Sequence, residues 1–417
     1  VAYRIEVFDK DLKRIGEIDQ WISLDFTVRL AQEGIWQLLI KDGTPQSELI
    51  QQGGGIAIWQ DGVDKPILSG PVDTFQKYFT KLQHTGPGSL YIAGKCHNTL
   101  AYRRLAFPDP SKAVDKQYQS PRYQRLVNPL KSMEEVIWEE LNKALGPMAL
   151  SNRRVAGLDF GSEPVGPPIT LWPRTTDWLR MDNIGTKIEE WFKAKNAAYR
   201  FIYNAEDQKV DLEIFRPRDL SKTVRFSPEL GNLREYIWTL TAPKVTRAIV
   251  GCAGEKAERY YYQKVDTAAE AEWGISIESF VDRRDIPLKV DTSTGAPIKA
   301  DAAMTGDDYD AAVKSVEEAA DAVFTENGGD GNFQIYPIDT AECAFGKHYF
   351  VGDVVTVAVD GTEYSDVVRE VTISVDDAGN TNDVAPKIGQ QGSGEPLNLY
   401  KTVSDMQKKL RRLESRM

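Results

Sequence analysis

Two widely separated stretches of this chain share one hairpin plan, and that repeat limits its possible architectures more than any other feature. The first runs Ile56-Ala57-Ile58-Trp59-Gln60-Asp61-Gly62 and, after a short polar link, Ile67-Leu68-Ser69-Gly70-Pro71-Val72. The second runs Val355-Thr356-Val357-Ala358-Val359-Asp360-Gly361, then Val367-Val368-Arg369-Glu370-Val371-Thr372-Ile373. In each, an apolar β run ends in Asp-Gly, where glycine supplies the positive φ that a tight hairpin needs. A glycine precedes each first strand, Gly55 and Gly352, and a valine follows each turn glycine by ten residues, Val72 and Val371. Two like β modules per chain let a trimer present six quasi-equivalent modules in a ring, matching threefold to sixfold symmetry. Asp-Gly hairpins are frequent in β proteins, so a chance likeness is the competing reading.

The rest of the chain fits an α+β fold that is mainly β: two β-barrel modules, each with an α-containing insertion, plus a C-terminal helix. At roughly 100–200 residues per domain, 417 residues give two to four domains. Residues 1–105 read as the first barrel, completed by part of 225–245, with Tyr3, Ile5 and Val7 opening the alternation. Gly53-Gly54-Gly55 suits a close backbone approach at a strand entry better than a ligand loop. Residues 106–224 read as an α/β insertion. In it, Ser132 and Glu135 form a capping box for a helix ended by Gly146-Pro147, and Ile184, Ile188 and Trp191 mark a second helix over 182–197. Residues 233–265 and 345–388 read as the second barrel, with Tyr260-Tyr261-Tyr262 as strand rather than sugar site. Residues 266–344 read as its insertion, with a helix over 308–325 capped by Asp307 or Asp308 and buried through Val313, Val316, Ala320 and Val323.

Charge separates the candidate contact segments. The net charge is −11, which argues against a tightly held nucleic acid, although an acidic lumen would let DNA pass without sticking. Residues 99–131 reverse the sign: seven cations, including Arg103, Arg104, Lys112, Lys116, Arg122 and Arg125, oppose two acids, with aromatics interleaved. Such a segment binds single-stranded nucleic acid or lies as an arm on an acidic neighbouring subunit, and its prolines favour the arm. Residues 389–398 read as a linker. After it, Leu399, Val403, Met406, Leu410, Leu413 and Met417 make an a/d stripe over 399–417, on a segment of charge +4. That stripe points to self-association or to docking on the body.

No reaction chemistry is signalled. Gly-x-Ser-x-Gly, His-Glu-x-x-His and a phosphate loop are absent, and three scattered histidines give little basis for acid–base work. Asp307, Asp308 and Asp310 suit a helix N-terminus, although a two-carboxylate glycosidase stays open. Cys96-His97 lacks a second ligand pair, so neither metal nor cofactor is expected. Three cysteines without a framework fit synthesis in a reducing cytoplasm, and no segment has the length and apolarity of a membrane-spanning helix. The opening residues lack a signal-peptide pattern.

Particular residues carry a family likeness. They are Tyr3-Arg4-Ile5-Glu6-Val7-Phe8-Asp9, the Gly55-to-Val72 hairpin, Val245 to Gly251, Phe350-Val351-Gly352-Asp353-Val354-Val355-Thr356-Val357, and Arg369 to Asp376. Through them the chain resembles the tail-hub proteins of long-tailed bacteriophages of the siphovirus type, also called minor tail or baseplate hub proteins. The resemblance implies a homotrimeric ring with two tail-tube-like barrels per chain and pseudo-sixfold symmetry, at the virion tail tip. It implies a structural role rather than an enzyme: joining the sixfold tube to the threefold tip, closing the tail end, and letting DNA pass on infection. Implied partners are a distal tail protein ring, the tape measure protein, and tail-tip or receptor-binding proteins. Some relatives carry hydrolase or receptor-binding extensions, and a chain ending about thirty residues after its second barrel is expected to lack them. A glycan-binding adhesin and a cell-wall-degrading tail enzyme are the alternatives.

Overall fold

Alternation of apolar and polar residues sets the architecture. The computed structural model describes residues 3–79, 88–119, 125–127, 131–165, 178–195, 197–328, 330–338, 340, 342–379 and 381–389. It is an α+β fold, mainly β, in two compact units. Unit 1 comprises Val1–Tyr236 and Phe333–Gly389, and the described part of unit 2 is Ile237–Asn332.

Unit 1 is organised around one large mixed sheet. Its strands, the first two of which include residues counted with unit 2, lie in the order Leu233–Thr241, Asp330–Pro337, Thr381–Gly389, Thr362–Val375, Ser23–Arg29, Ile35–Lys41, Ser89–Lys95 and Thr74–Tyr78. Val354–Val359 pairs with Thr362–Val375 and carries Arg225–Phe226. A second sheet, Arg14–Ile18, Tyr3–Phe8, Gly55–Gln60 and Leu68–Pro71, closes the first module. Period-two alternation turns Leu24, Phe26, Trp36, Leu38, Ile92, Val371 and Ile373 into a shared core. Tyr3 meets Phe26 edge-on at 5.7 Å, tying the two sheets together.

The two modules merge where Ser23–Arg29 pairs antiparallel with the second half of Thr362–Val375. On the polar face of this join, Arg29 Nε donates to Glu370 at 2.6 Å and Lys387 Nζ lies 2.9 Å from its other oxygen. The Thr27 and Thr372 hydroxyls meet at 3.2 Å, and Ser374 donates to Asp25 at 2.5 Å. Glu370 is buried, which by itself raises a carboxyl pKa. The Arg29 hydrogen bond and the Lys387 charge overcome this and hold it below the usual carboxylate range.

The repeated hairpins share a plan but not a turn. The second is a two-residue turn with Asp360 and Gly361 both at positive φ and Val359 opposite Thr362. In the first, Ile58 faces Leu68 and only Gly62 of the turn pair has positive φ, so the loop is wider. Val72 therefore donates to Gly54 O, whereas Val371 lies beyond its hairpin, opposite Val28. The shared ten-residue spacing is not a structural equivalence. Gly54 and Gly55 are close-approach sites: an added Cβ would stand 2.5 Å from the Phe8 and Gly70 carbonyl oxygens respectively.

The 106–224 insertion follows its local signals. Ser132 Oγ accepts from Glu135 N at 3.2 Å, Glu135 accepts in return from Ser132 N at 2.6 Å, and the helix runs Met133–Leu145. The second helix is Ile184–Lys195, shorter than 182–197, because Asp182–Asn183 pairs as a strand with Leu105–Ala106. A hairpin, Ala198–Asn204 with Lys209–Phe215, completes this layer.

Unit 2 corrects the assignment of 233–265 to one barrel. Arg247–Gly251 pairs with Tyr261–Val265 and Glu278–Asp282. Ala248 and Val250 are buried in one cluster with Ala312, Val316, Ala320 and Val323 of the helix Gly306–Asn327, which supplies their apolar complement. Val313 is only partly buried. The helix cap is Thr305, not Asp307 or Asp308. Thr305 Oγ1 accepts from Asp308 N at 3.1 Å while Asp308 accepts from Thr305 N at 3.0 Å, so Asp308 closes the capping box from within.

Two predictions follow from unit 1's packing. At Gly70 an added Cβ would overlap the Lys95 carbonyl oxygen and meet Cys96 Cα at 2.8 Å. Gly70→Ala is expected to cost about 1–3 kcal/mol in urea unfolding, while Gly306→Ala, at an open helix start, stays within about 0.5 kcal/mol. Glu370→Gln is expected to cost about 1–3 kcal/mol at neutral pH. Because Glu370's pKa is depressed in the fold, its contribution is complete above the ordinary carboxylate range and is lost as pH falls through the lowered value. The gap between parent and variant in urea midpoint must therefore close on acidification; a gap independent of pH would contradict the assignment.

Candidate functional site

The sheet of unit 1 presents a broad face and two edges. Register places Ser23, Asp25, Thr27 and Arg29 on one face with Gln37, Lys41, Tyr91, Lys95, Thr372, Ser374, Asp383 and Lys387, and the same face carries the apolar Ile35, Leu39, Ala93 and Ala385 among them. On that face Asp25, Glu370 and Asp383 oppose Arg29, Lys41, Lys95 and Lys387. The overall charge of −11 is not concentrated here.

Among the described strands, the sheet ends in open edges. Thr74–Tyr78 pairs with Ser89–Lys95 on one side, and no other described strand pairs with it. All five of its residues are exposed, and Phe75, Tyr78 and neighbouring Phe79 are 42%, 59% and 65% exposed. At the other end of the strand order lies Leu233–Thr241. An exposed apolar edge is a template for pairing with another chain.

The 99–131 cations are distributed differently from a free arm. Arg125 makes a two-pronged pair with Glu140 at 2.6 Å on both branches and is largely buried, so it braces the Met133–Leu145 helix. Sequence spacing hid this pair, because Glu140 lies fifteen residues away on the helix's inward face. Arg103 reaches Asp73 at 3.2 Å, Arg104 donates to Arg153 O at 3.3 Å, and Lys112 lies 3.2 Å from Asp109. Lys116 is exposed on the short 3-10 turn Val114–Gln119. Arg122 and the whole stripe of Leu399, Val403, Met406, Leu410, Leu413 and Met417 lie outside the described residues.

Cys96 and His97 are packing groups. Tyr203 N donates to Ser69 Oγ at 2.8 Å, and Ser69 Oγ meets His97 Nδ1 at 2.8 Å. Burial, with Arg103 nearby, pushes His97 down to about 3, so the ring is neutral. Burial pushes the Cys96 thiol up to about 11. Among the described residues no three metal-ligating side chains come together.

A groove of about 680 Å³ opens where the first hairpin loop, the insertion and the loop before Val354 converge. Trp138, Phe160, Leu212, Ile214 and Phe350 contribute its apolar lining, and Lys65, Arg200, Arg216 and Arg218 its cations. Arg218 forks onto Asp353 at 2.8 and 2.6 Å, and Asp353 also accepts from Phe350 N at 2.8 Å. Glu213 pairs with Lys65 and Arg200, and Glu134 with Arg216. Burial would raise the Glu213 pKa; the Arg200 charge and the Lys65 hydrogen bond hold it low instead. Separate chain segments build the groove, so no local motif announced it.

Comparison with known proteins places this architecture. The 43 kDa tail protein of prophage MuSo2 from Shewanella oneidensis matches with a TM-score of 0.51 at 11% identity, over 93% of this chain and 97% of that one. A tail protein from Neisseria meningitidis MC58 matches with a TM-score of 0.51 at 10% identity, over 94% and 98%. No curated protein matches. The family model for Siphovirus ReqiPepy6 Gp37-like proteins matches residues 4–390, nearly the whole described chain. With that match running over most of its length, the chain belongs to the Siphovirus ReqiPepy6 Gp37-like family.

Proposed function

We propose that this chain is a structural hub of the tail tip, three copies of which close a ring that adapts the sixfold tail tube to a threefold tip. One observation carries the reading: the large sheet contains two halves, one from each hairpin module, joined inside the chain, and among the described strands it ends in open edges. Within the chain, Ser23–Arg29 of the first half pairs with Thr362–Val375 of the second. Between chains, Thr74–Tyr78 of one protomer pairs with Leu233–Thr241 of the next. Such a contact is heterologous, and a 120° rotation closes it after three copies. The polar sheet face then lines the passage, and its near-balance of charges gives DNA phosphates little to hold. The distal tail protein ring, the tape measure protein and the receptor-binding proteins of the tip are the partners in this reading. The 399–417 stripe adds a further contact among copies. The ring closes the tail end before infection and opens for the genome afterwards.

Light scattering across a dilution series tests the ring. The expected mass is three times 46.7 kDa. Phe75→Asp with Phe79→Asp, both at exposed sites, is expected to lower the mass to one chain without changing the circular dichroism melt. A monomer or dimer at every concentration contradicts the hub. A trimer that survives the double substitution contradicts the edge contact.

A further inference from the structure

We infer that the groove beside Arg216 and Arg218 is a docking site for an acidic peptide segment of another protein, anchored by an aromatic or aliphatic side chain. The groove lies within one protomer, so the inference does not depend on ring closure. Its charges are layered. Side chains of Glu134, Glu213 and Asp353 are 10%, 23% and 6% exposed, while those of Arg216, Lys65 and Arg218 are 47%, 61% and 63% exposed. The carboxylates therefore lie behind and the cations face outward. Arg216 and Arg218 each commit Nε and Nη2 to their carboxylate, which leaves the Nη1 donors for a further acceptor. Between the cations, Trp138, Leu212, Ile214 and Phe350 offer an apolar seat.

Two apolar segments of this chain have the wrong charge for the seat. Thr74–Tyr78 and Phe79 bring Lys77, and 399–417 carries +4. Complementarity instead selects an apolar residue flanked by Asp or Glu, the pattern of short acidic motifs captured by arginine clusters. A single-stranded nucleic acid fits less well. It needs a continuous basic track with open ring faces, whereas Trp138 is partly buried and its indole N–H is held by Phe160 O at 2.9 Å.

Panning a displayed library of random short peptides against the immobilised full chain, then measuring synthetic versions of the enriched peptides by fluorescence anisotropy, tests the site. Enriched sequences are expected to place Asp or Glu beside an aromatic or aliphatic residue. Lys65→Glu, at an exposed position whose partner Glu213 keeps Arg200, is expected to weaken them about tenfold with an unchanged melt. Arg218→Lys keeps a charge on Asp353 but loses the fork, and is expected to weaken them too. The inference is overturned if no peptide is enriched over uncoated support, if enriched peptides show no acidic bias, or if Lys65→Glu leaves binding unchanged. Tighter competition from oligo-dT than from any acidic peptide also overturns it.

Discussion

The structure depends on one ladder, the antiparallel pairing of Ser23–Arg29 with Glu370 to Val375. It joins residues about 340 positions apart, as in the Arg29–Glu370 pair, so ordering the intervening chain opposes it. What offsets that cost is cooperative. Alternate rungs bury apolar pairs on one face, Phe26 against Ile373 and Val28 against Val371, and the rungs between them align polar partners on the other. A one-residue slip would turn both sets inside out, so the register is strongly specified. The strand Thr362–Val375 is long enough, at fourteen residues, to serve two neighbours in succession. Its first half completes the hairpin with Val354–Val359, and its second half carries the join. Without that ladder the two modules would be separate small sheets, each with an additional open edge.

Much of this was legible in the sequence where signals are local. The Ser132–Glu135 capping box, the Asp360-Gly361 turn and the alternation at Tyr3, Ile5 and Val7 are each decided by residues a few positions apart. The failures have the opposite character. Thr305 was passed over as a helix cap because three aspartates follow it, and reciprocity with Asp308 needs geometry to see. Residues 247–265 read as part of the second barrel but pair in a separate sheet, since alternation identifies a strand but not its partner. The matched spacing of Val72 and Val371 misled because loop width shifts register. Arg125 read as free charge because Glu140 reaches it only through the tertiary fold, and the groove at Arg216 and Arg218 had no linear signature at all.

Edges, faces and a charge-layered groove are the features on which the proposed assembly role rests. Two buried titratable groups serve packing: His97 is held neutral behind Ser69, and Glu370 is held charged between Arg29 and Lys387. Charge is arranged by location rather than by total. A chain of −11 offers a nearly balanced sheet face and outward-facing cations around the groove, so its acidity says little about either surface.

The central claim is that one continuous sheet, joined within the chain, is also joined between chains. Electron cryomicroscopy of the purified particle viewed down its axis tests this most directly. The account predicts a threefold ring with six similar lobes and strand density running unbroken from the Thr74–Tyr78 edge of one copy into Leu233–Thr241 of the next. A ring whose copies touch only through loops, or a particle with twofold symmetry, would contradict it.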